Sequence, residues 1–482
     1  MRVTFLVLTL LVCLTSGVTS AQQTLSYADA LDIAMQSSPS LRQYALSLER
    51  SEASLLAAKA RLKSRLSLSV TPMDYSNSNQ FNDLFSTWYS QETKSSSGTF
   101  RVIQPVKWTD GVLSLNNWFS WRDSYSEFQG GSSETYTNNL YLSFEQPIFT
   151  YNRTQLELKG LRLDLERQQL SYSLQLLSLE QRVMRSFFDV YQQKMQLQIA
   201  REEEVTTRQS YEIMQNKVDA GLNRLDDLYQ AELNLANAVS SVQNQEVALA
   251  NAFDGLKQLI GLPLEASIDV DEDVSFEPVA VDMEQAMTHG LAHRQELRQR
   301  QMDIINAEDN LTRTGAENEF RGSLNLAYGT IGNSESFNDI YKSPDKNQQF
   351  VVSFEIPLYD WGARDLQLKA ARAAVLSSEI NLEDEQISIR IAIRQAYRNL
   401  QNQVTQIDIA RQNVRNSQLT YEINQEKYSN GDLTAKDLDY YQTQLSRARL
   451  DEVASLIRYK LGLLDMKIQS LWDFENNRSV VP

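Results

Sequence analysis

The sequence has 482 residues and a net charge of −16 at pH 7, and it contains only 17 glycines, 9 prolines and one cysteine. Such low glycine and proline usage predicts long uninterrupted elements. The acidic balance is spread along the chain, which disfavours nucleic acid and anionic lipid headgroups as partners. Beyond the N-terminal segment no run of about 18 apolar residues occurs, so a transmembrane helix is excluded, whereas membrane-spanning strands, which show only alternation, are not.

The N-terminus is typical of a secretory signal peptide over residues 1–21. Arg2 precedes an apolar run that ends at Leu14, and small residues follow up to Ala21. This pattern predicts that the mature chain begins near Gln22. Cys13 lies inside the apolar run without a small residue just before it, so lipidation is the less favoured alternative. A mature chain without cysteine forms no disulfide and is held together by packing.

The mature chain opens with a helical pattern from Tyr27 to Lys63, and that pattern returns 256 positions later. The matching residues are Ala30, Leu41, Arg42, Glu52, Leu55 and Leu68 in the first copy and Ala286, Leu297, Arg298, Glu308, Leu311 and Leu324 in the second. Further along the chain the offset between copies is 210. The first copy therefore carries 46 extra residues between Val70 and Ser143, within an internal duplication.

Each copy then turns to alternation with period two. Apolar residues alternate with Ser, Asn, Thr and Glu in four stripes: Leu66, Leu68 and Val70; Leu140, Leu142 and Phe144; Leu324, Leu326 and Tyr328; Phe350, Val352, Phe354 and Ile356. This pattern predicts strands that are apolar outside and wet inside. Each copy contributes at least one hairpin, and we expect the second hairpin to have a solvent-exposed loop from Gly329 to Lys346.

The 46 extra residues have a hairpin signature of their own. Two alternating stretches, from Thr99 to Trp108 and from Val112 to Trp121, flank an Asp-Gly turn. The first copy is therefore expected to hold four strands. Four of the six tryptophans fall in this region, as an interfacial aromatic belt requires, although the core of a small soluble sheet is an alternative.

A proline closes the last strand of each copy, at Pro147 and Pro357. Because proline cannot donate to the ladder, it marks the change from sheet to helix. Long helices are predicted from about Thr154 to Ala220 and from about Gly362 to Asn430. At 1.5 Å per residue each is about 100 Å long. Their apolar positions step by seven in two rows, which predicts left-handed supercoiled packing with a neighbour on each side.

A second part of the duplication marks the ends of these helices. The stretch from Tyr211 to Ala238 matches Tyr421 to Ala448 without a gap. In each copy a lone glycine, Gly221 or Gly431, interrupts the helical pattern, and an acid follows near the start of the next helix. Each copy thus predicts a helical hairpin with a tight tip. The returning helices are expected from about Leu225 to Ile260 and from about Ala435 to Leu471.

Catalytic or metal chemistry is not indicated. The only histidines, His289 and His293, lie four apart on one predicted helical face, but the residues between them offer no catalytic acid and no third ligand is evident. The sequence also lacks a phosphate-binding glycine loop and a nucleophile elbow. We therefore expect neither an enzyme nor a bound cofactor or metal.

The predicted organisation follows from these patterns. It comprises a signal peptide (1–21), a first repeat (22–264), an acidic connector (265–281), a second repeat (282–471) and a C-terminal tail (472–482).

A secreted, duplicated chain in which heptad helices follow strands ending in Phe-Glu-x-Pro resembles the outer-membrane efflux protein (TolC) family. The resemblance covers nearly the whole mature chain. It implies a mainly α fold with a transmembrane β-barrel portion, in which a homotrimeric β-barrel in the outer membrane is continuous with a trimeric α-helical barrel across the periplasm. It also implies a passive duct for efflux or type I secretion, which works with a periplasmic adaptor and an inner-membrane pump.

The resemblance further implies a gate at the tips. The positions that match the family's constriction, or lie beside it, are Gly221, Asp226, Asp227, Tyr428, Gly431, Asp437 and Tyr440. Acidic rings of this kind attract cations and allow multivalent cations to block the pore. Two positions depart from the family's pattern: Arg224 stands where a Ser or Thr is common, and Leu433 stands where some members have an arginine. The alternative role for the acids is the ordinary stabilisation of a first helical turn.

Family members place four strands per protomer and twelve in the barrel. We expect twelve here, with the insertion as an embellishment outside the wall, and a wider barrel of eighteen strands is the alternative. The main alternative for the whole protein is a soluble periplasmic coiled-coil adaptor or scaffold.

Overall fold

The structure is a computed structural model that describes residues 23–127, 130–270, 276–317, 319–430 and 432–480. The predicted signal peptide with Cys13, the tip glycine Gly431 and residues 271–275 of the predicted connector lie outside the described residues. The chain divides into two compact units. The first comprises Met1–Gln43, Leu174–His293 and Ile389–Pro482, and the second comprises Tyr44–Ser173 and Arg294–Ser388.

Helices make up most of the described chain. They are α1 (Tyr27–Ser37), α2 (Pro39–Arg61), α3 (Arg153–Asp219), α4 (Leu225–Ile260), α5 (Met283–His293), α6 (Gln295–Gly315), α7 (Ala363–Asn430) and α8 (Ala435–Ser470). The bounds predicted for the four longest helices agree with these to within one residue. Ile393, Leu400 and Ile407 of one predicted heptad row are buried, as a helix with packed neighbours requires.

The first helical pattern of each copy is broken in two, which the sequence analysis did not predict. Ser38 separates α1 from α2 with an extended ψ of 124°, because the following Pro39 disfavours the helical region for the residue before it. Arg294, at the matching position of the second copy, has the same ψ of 124° without a proline after it. The break is therefore a feature of both repeats and does not depend on the proline alone.

The second unit contains one antiparallel sheet of six described strands. Its strands are β2 (Arg65–Asn82), β3 (Thr87–Val106), β4 (Gly111–Ser126), β5 (Gly131–Ile148), β7 (Arg321–Ser334) and β8 (Asp345–Glu355). Their spatial order is β2-β3-β4-β5-β7-β8. The prediction of four strands in the first copy is confirmed. The inserted strands β3 and β4, which were expected outside the barrel wall, are paired along their length within this sheet.

Two details of this sheet differ from expectation. The loop predicted from Gly329 to Lys346 is shorter, since β7 continues to Ser334 and β8 begins at Asp345. Pro147 does not end its strand, because β5 runs one residue further and Pro147 is still paired with Ser323. Pro357, in contrast, lies beyond the end of β8.

The two faces of the sheet differ in chemistry, and the ladder register assigns each residue to a face. One face, here called the apolar face, carries all four predicted apolar stripes, and its side chains are open: Leu68 is 69% and Phe350 71% exposed. The other, here called the polar face, carries Ser, Thr and Asn from every strand, including Ser114 and Asn116. The alternation predicted from the sequence is confirmed.

The four helices of the second unit follow the same order as the strands. Polar bridges connect α2 to α3 through Ser51 and Asp164, α3 to α6 through Lys159 and Asp309, and α6 to α7 through Arg300 and Glu385. The helices therefore lie side by side in the order α2-α3-α6-α7.

The first unit contains the C-terminal parts of α3 and α7 together with the returning helices α4 and α8. A parallel pair, β1 (Gln23–Leu25) with β6 (Ile268–Val270), and a short antiparallel pair, β9 (Trp472–Asp473) with β10 (Arg478–Ser479), complete it. Its most buried large side chains include Tyr459, Phe187 and Met466. In the described part of the chain no helix combines the length and apolar character needed to cross a membrane.

Candidate functional site

The first tip is a sharp turn made possible by one glycine. Gly221 has a φ of +73°, and its amide donates to the Val218 carbonyl at 2.9 Å. The next amide, of Leu222, donates to the Lys217 carbonyl at 2.8 Å. These two bonds form a Schellman motif, which ends α3 and satisfies its last carbonyls.

The second tip repeats part of this geometry. The amide of Asp432 donates to the Lys427 carbonyl at 2.9 Å, and both residues lie 210 positions after their counterparts at the first tip. It corresponds to the bond from Leu222 to Lys217 at the first tip. The internal repeat thus extends to the hydrogen bonding of the tips.

The acids behind the tips differ in their contacts. Asp437 forms a cap with Thr434: its amide donates to the Thr434 hydroxyl at 3.2 Å, and that hydroxyl donates to the Asp437 carboxylate at 2.6 Å. Asp226 forms an exposed ion pair with Arg224 at 3.0 Å. Each of these contacts stabilises the start of its own helix, so a local structural role is present whatever else the acids do.

A cleft lies between the two helical hairpins at their tips. Its volume is about 480 Å³, and Asp227, Tyr428, Asp432, Asp437 and Asp439 are among the residues that line it. Of the sequence-predicted gate residues, the structure brings Asp227, Tyr428 and Asp437 together in this cleft. Gly221, Asp226 and Tyr440 lie outside it, and Pro147 and Pro357 belong to the second unit.

Tyr428 is held in this cleft by its ring. The side chain is only 6% exposed, and the Lys217 ammonium lies 5.4 Å from the ring centroid, within cation–π range. The Tyr428 hydroxyl is buried and has no hydrogen-bond partner among the described residues. Burial raises the pKa of the Tyr428 phenol, because the charged form would be desolvated. The contact therefore joins the end of α3 to the end of α7 without using the hydroxyl.

Glu203 and Asp439 form a pair of neighbouring carboxylates. Burial raises the pKa of Glu203 on α3, and the neighbouring charge of Asp439 on α8 raises it further. Burial also raises the pKa of Asp439. When both carboxylates are ionised they repel each other, which opposes the packing of α3 against α8.

Lys217, Glu203 and Asp439 were not predicted as site residues from the sequence. Lys217 recurs as Lys427 in the duplication, which marked it as part of the repeat but not as a partner of Tyr428. Glu203 stands in a run of three glutamates, and nothing in that run marks it as the one that lies near Asp439.

The histidine pair lies at the end of α5. The rings of His289 and His293 stack at 4.2 Å, and Nδ1 of His289 lies 3.0 Å from the Ser470 carbonyl oxygen. Within the described ranges no group of three or more His, Cys, Asp or Glu side chains is placed to hold a metal ion. The pair packs α5 against the end of α8.

Comparisons with solved structures identify the fold. The outer-membrane channel CmeC of Campylobacter jejuni matches with a TM-score of 0.70 and 14% identity, covering 95% of this chain and 87% of that chain. The open-state outer-membrane channel MtrE of Neisseria gonorrhoeae matches with a TM-score of 0.66 and 15% identity, covering 93% and 89%. The outer membrane protein VceC of Vibrio cholerae matches with a TM-score of 0.65 and 13% identity, covering 92% and 94%. A search of curated sequences found no match.

The family model for outer membrane efflux proteins matches residues 113–262 and 289–460, one segment in each repeat. Members of this family are passive trimeric channels of the outer membrane, with a helical barrel continuous with a β-barrel, and they work with adaptors and pumps. The resemblance drawn from the sequence, the fold class and the expectation that the protein is not an enzyme are thereby confirmed. The chain belongs to the outer membrane efflux protein family.

Proposed function

We propose that the protein is the outer-membrane duct of a tripartite export system, through which cargo leaves the periplasm without energy use by the duct itself. The observation that carries this proposal is the sheet with one open apolar face and one polar face, in a chain of the outer membrane efflux protein family. An apolar outer face suits lipid, and a polar inner face suits a water-filled lumen.

The helical tips form the gate in this proposal. Threefold symmetry brings three copies of Asp227 and Asp437 towards one axis, where like charges repel each other and attract cations. Opening then requires the hairpins to move apart, with the change concentrated at the turns around Gly221 and Gly431. A periplasmic adaptor splays the tips, and an inner-membrane pump supplies the energy and selects the cargo.

Single-channel recording in a planar bilayer tests the duct and the gate together. The purified protein should give small, stable, cation-selective steps that trivalent cation blocks from the tip side. The variant Asp227→Ala with Asp437→Ala should weaken the block and lower the cation selectivity, because the rings no longer attract cations. Unchanged block and selectivity in that variant would count against the gate, and no conductance from folded protein would count against the duct.

The alternative of a soluble periplasmic scaffold is disfavoured by the apolar face. Side chains such as Leu68, Phe350 and Phe354 are more than half exposed, which a soluble scaffold has no reason to maintain. A soluble scaffold would remain monodisperse without detergent, whereas a membrane duct requires detergent to stay in solution.

A further inference from the structure

A basic pocket lies where the sheet of the second unit meets the start of α3. Lys107, Lys159 and Arg162 supply three cations to its lining, and no Asp or Glu is among the residues that line it. Its volume is about 600 Å³. The whole chain carries a net charge of −16, so a lining whose only charges are positive is a local exception. A pocket of this composition favours an anionic ligand.

Two of the three cations are unpaired. Lys159 forms an ion pair at 2.6 Å with Asp309 of α6, whose side chain is nearly buried. Among the described residues, the Lys107 ammonium and the Arg162 guanidinium have neither an ion pair nor a hydrogen bond. Lys159 thus holds α3 against α6 as part of the fold, and Lys107 and Arg162 leave two positive charges available to a ligand.

The inserted turn between β3 and β4 holds two of the lining residues, Lys107 and Trp108, beside the start of α3. The Asn152 side-chain amide donates to the Lys107 carbonyl at 2.9 Å and to the Trp108 carbonyl at 3.0 Å. Asp110 of the same turn accepts a hydrogen bond from the Thr154 amide at 3.1 Å. The position of the turn is therefore fixed by bonds to the helix.

An aromatic cluster shows that the basic pocket adjoins the apolar face of the sheet. Phe354 lies on that face, and its ring is 5.6 Å from the ring of Phe320 and 6.5 Å from that of Phe149. Phe149 and Phe320 line a second cavity of about 650 Å³. Tyr151 and Thr312 line both cavities, so the two are neighbours. The basic pocket therefore lies beside an aromatic surface that continues the apolar face.

The pocket lies at one edge of the membrane in the proposed duct, on which this inference rests. Strands β3 and β5 end at Val106 and Ile148, and α3 begins at Arg153. In the duct the strands lie in lipid and the helices in the periplasm, so this junction is level with the headgroups of the periplasmic leaflet. Trp108 is 80% exposed there, and an indole suits that layer because it is both apolar and able to donate a hydrogen bond.

We infer that the basic pocket binds the phosphate of an anionic phospholipid of the periplasmic leaflet, with the acyl chains against the neighbouring phenylalanines. The Arg162 guanidinium matches two phosphate oxygens at once, and the Lys107 ammonium adds a second charge. The Trp108 indole lies beside the headgroup. Because the inserted turn supplies Lys107 and Trp108, the insertion gives the first repeat a lipid site that the second repeat, without such a turn, does not complete.

Titration calorimetry of the full chain in detergent tests the site. Dihexanoyl phosphatidylglycerol should bind about 30-fold more tightly than dihexanoyl phosphatidylcholine, at about fivefold for each unpaired cation. Lys107→Gln with Arg162→Gln should abolish this preference. The control is Lys369→Gln with Arg372→Gln on α7, since Arg372 stands 210 positions after Arg162 and both control residues are exposed. The control removes the same charge and should keep the preference.

Three outcomes of this titration would overturn the inference. The first is equal binding of the two lipids by the unmodified chain, and the second is the same loss of preference in both double variants. The third is competition by inorganic phosphate at the same concentration as phosphatidylglycerol, because the pocket would then take a soluble anion and not a lipid.

Fluorescence in liposomes gives a second measurement that leaves every charge in place. The emission of the unmodified chain minus that of Trp108→Phe isolates one indole among six tryptophans. Phosphatidylglycerol brominated on its acyl chains close to the headgroup should quench this difference, and no quenching would overturn the inference.

Conductance in a planar bilayer of neutral lipid separates this inference from the proposed function. A chain that conducts but shows neither lipid preference nor quenching would overturn the lipid site alone. A folded chain that does not conduct would instead count against the duct.

Discussion

The contact between Lys217 and Tyr428 gives the sharpest prediction about the gate. Three substitutions separate its components: Lys217→Met removes the charge and keeps the stem, Tyr428→Leu removes the ring, and Tyr428→Phe removes only the hydroxyl. Since the hydroxyl has no partner among the described residues, Tyr428→Phe should leave the tip closed. The other two substitutions should open it.

The expected size follows from the geometry. The ammonium lies 5.4 Å from a ring that is 6% exposed, so the contact is worth about 1 kcal/mol, between the values for exposed and desolvated pairs. Loss of about 1 kcal/mol shifts the closed-to-open ratio of one protomer about 5-fold. If three protomers open together, the shift approaches 150-fold.

Resting open probability in a planar bilayer measures this shift. Lys217→Met and Tyr428→Leu should both raise it, and the double variant should add little beyond Tyr428→Leu, because the two residues share one contact. The reasoning is refuted if Tyr428→Phe opens the channel as much as Tyr428→Leu, since the hydroxyl and not the ring would then hold the tip.

Three further predictions concern the tips and the wall. Burial and a neighbouring carboxylate raise the pKa of Glu203 above its ordinary value of 4.5, so the packed tip binds the Glu203 proton more readily than the separated tip does. Packing of the tip should therefore weaken, and the open probability rise, as pH increases from about 4.5 through the raised pKa. Glu203→Gln should flatten this dependence of open probability on pH. Gly221→Ala should destabilise the tip by about 1–2 kcal/mol and speed its amide exchange, because φ at Gly221 is +73°; the cause is the backbone alone, since nothing lies within 4 Å of the added Cβ. The control Gly255→Ala within α4 should instead stabilise the helix by about 1 kcal/mol. Equal amide exchange at the tip in both variants would contradict this account. Asp110→Ala removes a cap from the start of α3 and should lower the free energy of unfolding by about 1 kcal/mol, as Asp360→Ala should at the start of α7. An unchanged midpoint of thermal unfolding would show that the turn at Asp110 does not cap the helix.

The sequence by itself determined the features that depend on local chemistry. The bounds of the long helices followed from apolar periodicity and from the scarcity of breakers, and α4 runs from Leu225 to Ile260 as predicted. The turn at Gly221 followed because glycine alone takes the left-handed conformation at little cost. The two faces of the sheet followed from strict alternation, which fixes each side chain's face once the strand exists. The duplication was visible because it preserved residue types at fixed offsets.

Only the tertiary structure decided what depends on partners distant in the chain. Whether β3 and β4 joined the sheet was settled by backbone ladders, which any alternating stretch can form and which leave no mark in the sequence. The contact of Lys217 with Tyr428 and the proximity of Glu203 to Asp439 each join residues more than 200 positions apart. Their energies arise from burial and from neighbouring charge, and both quantities exist only after the hairpins have packed against each other.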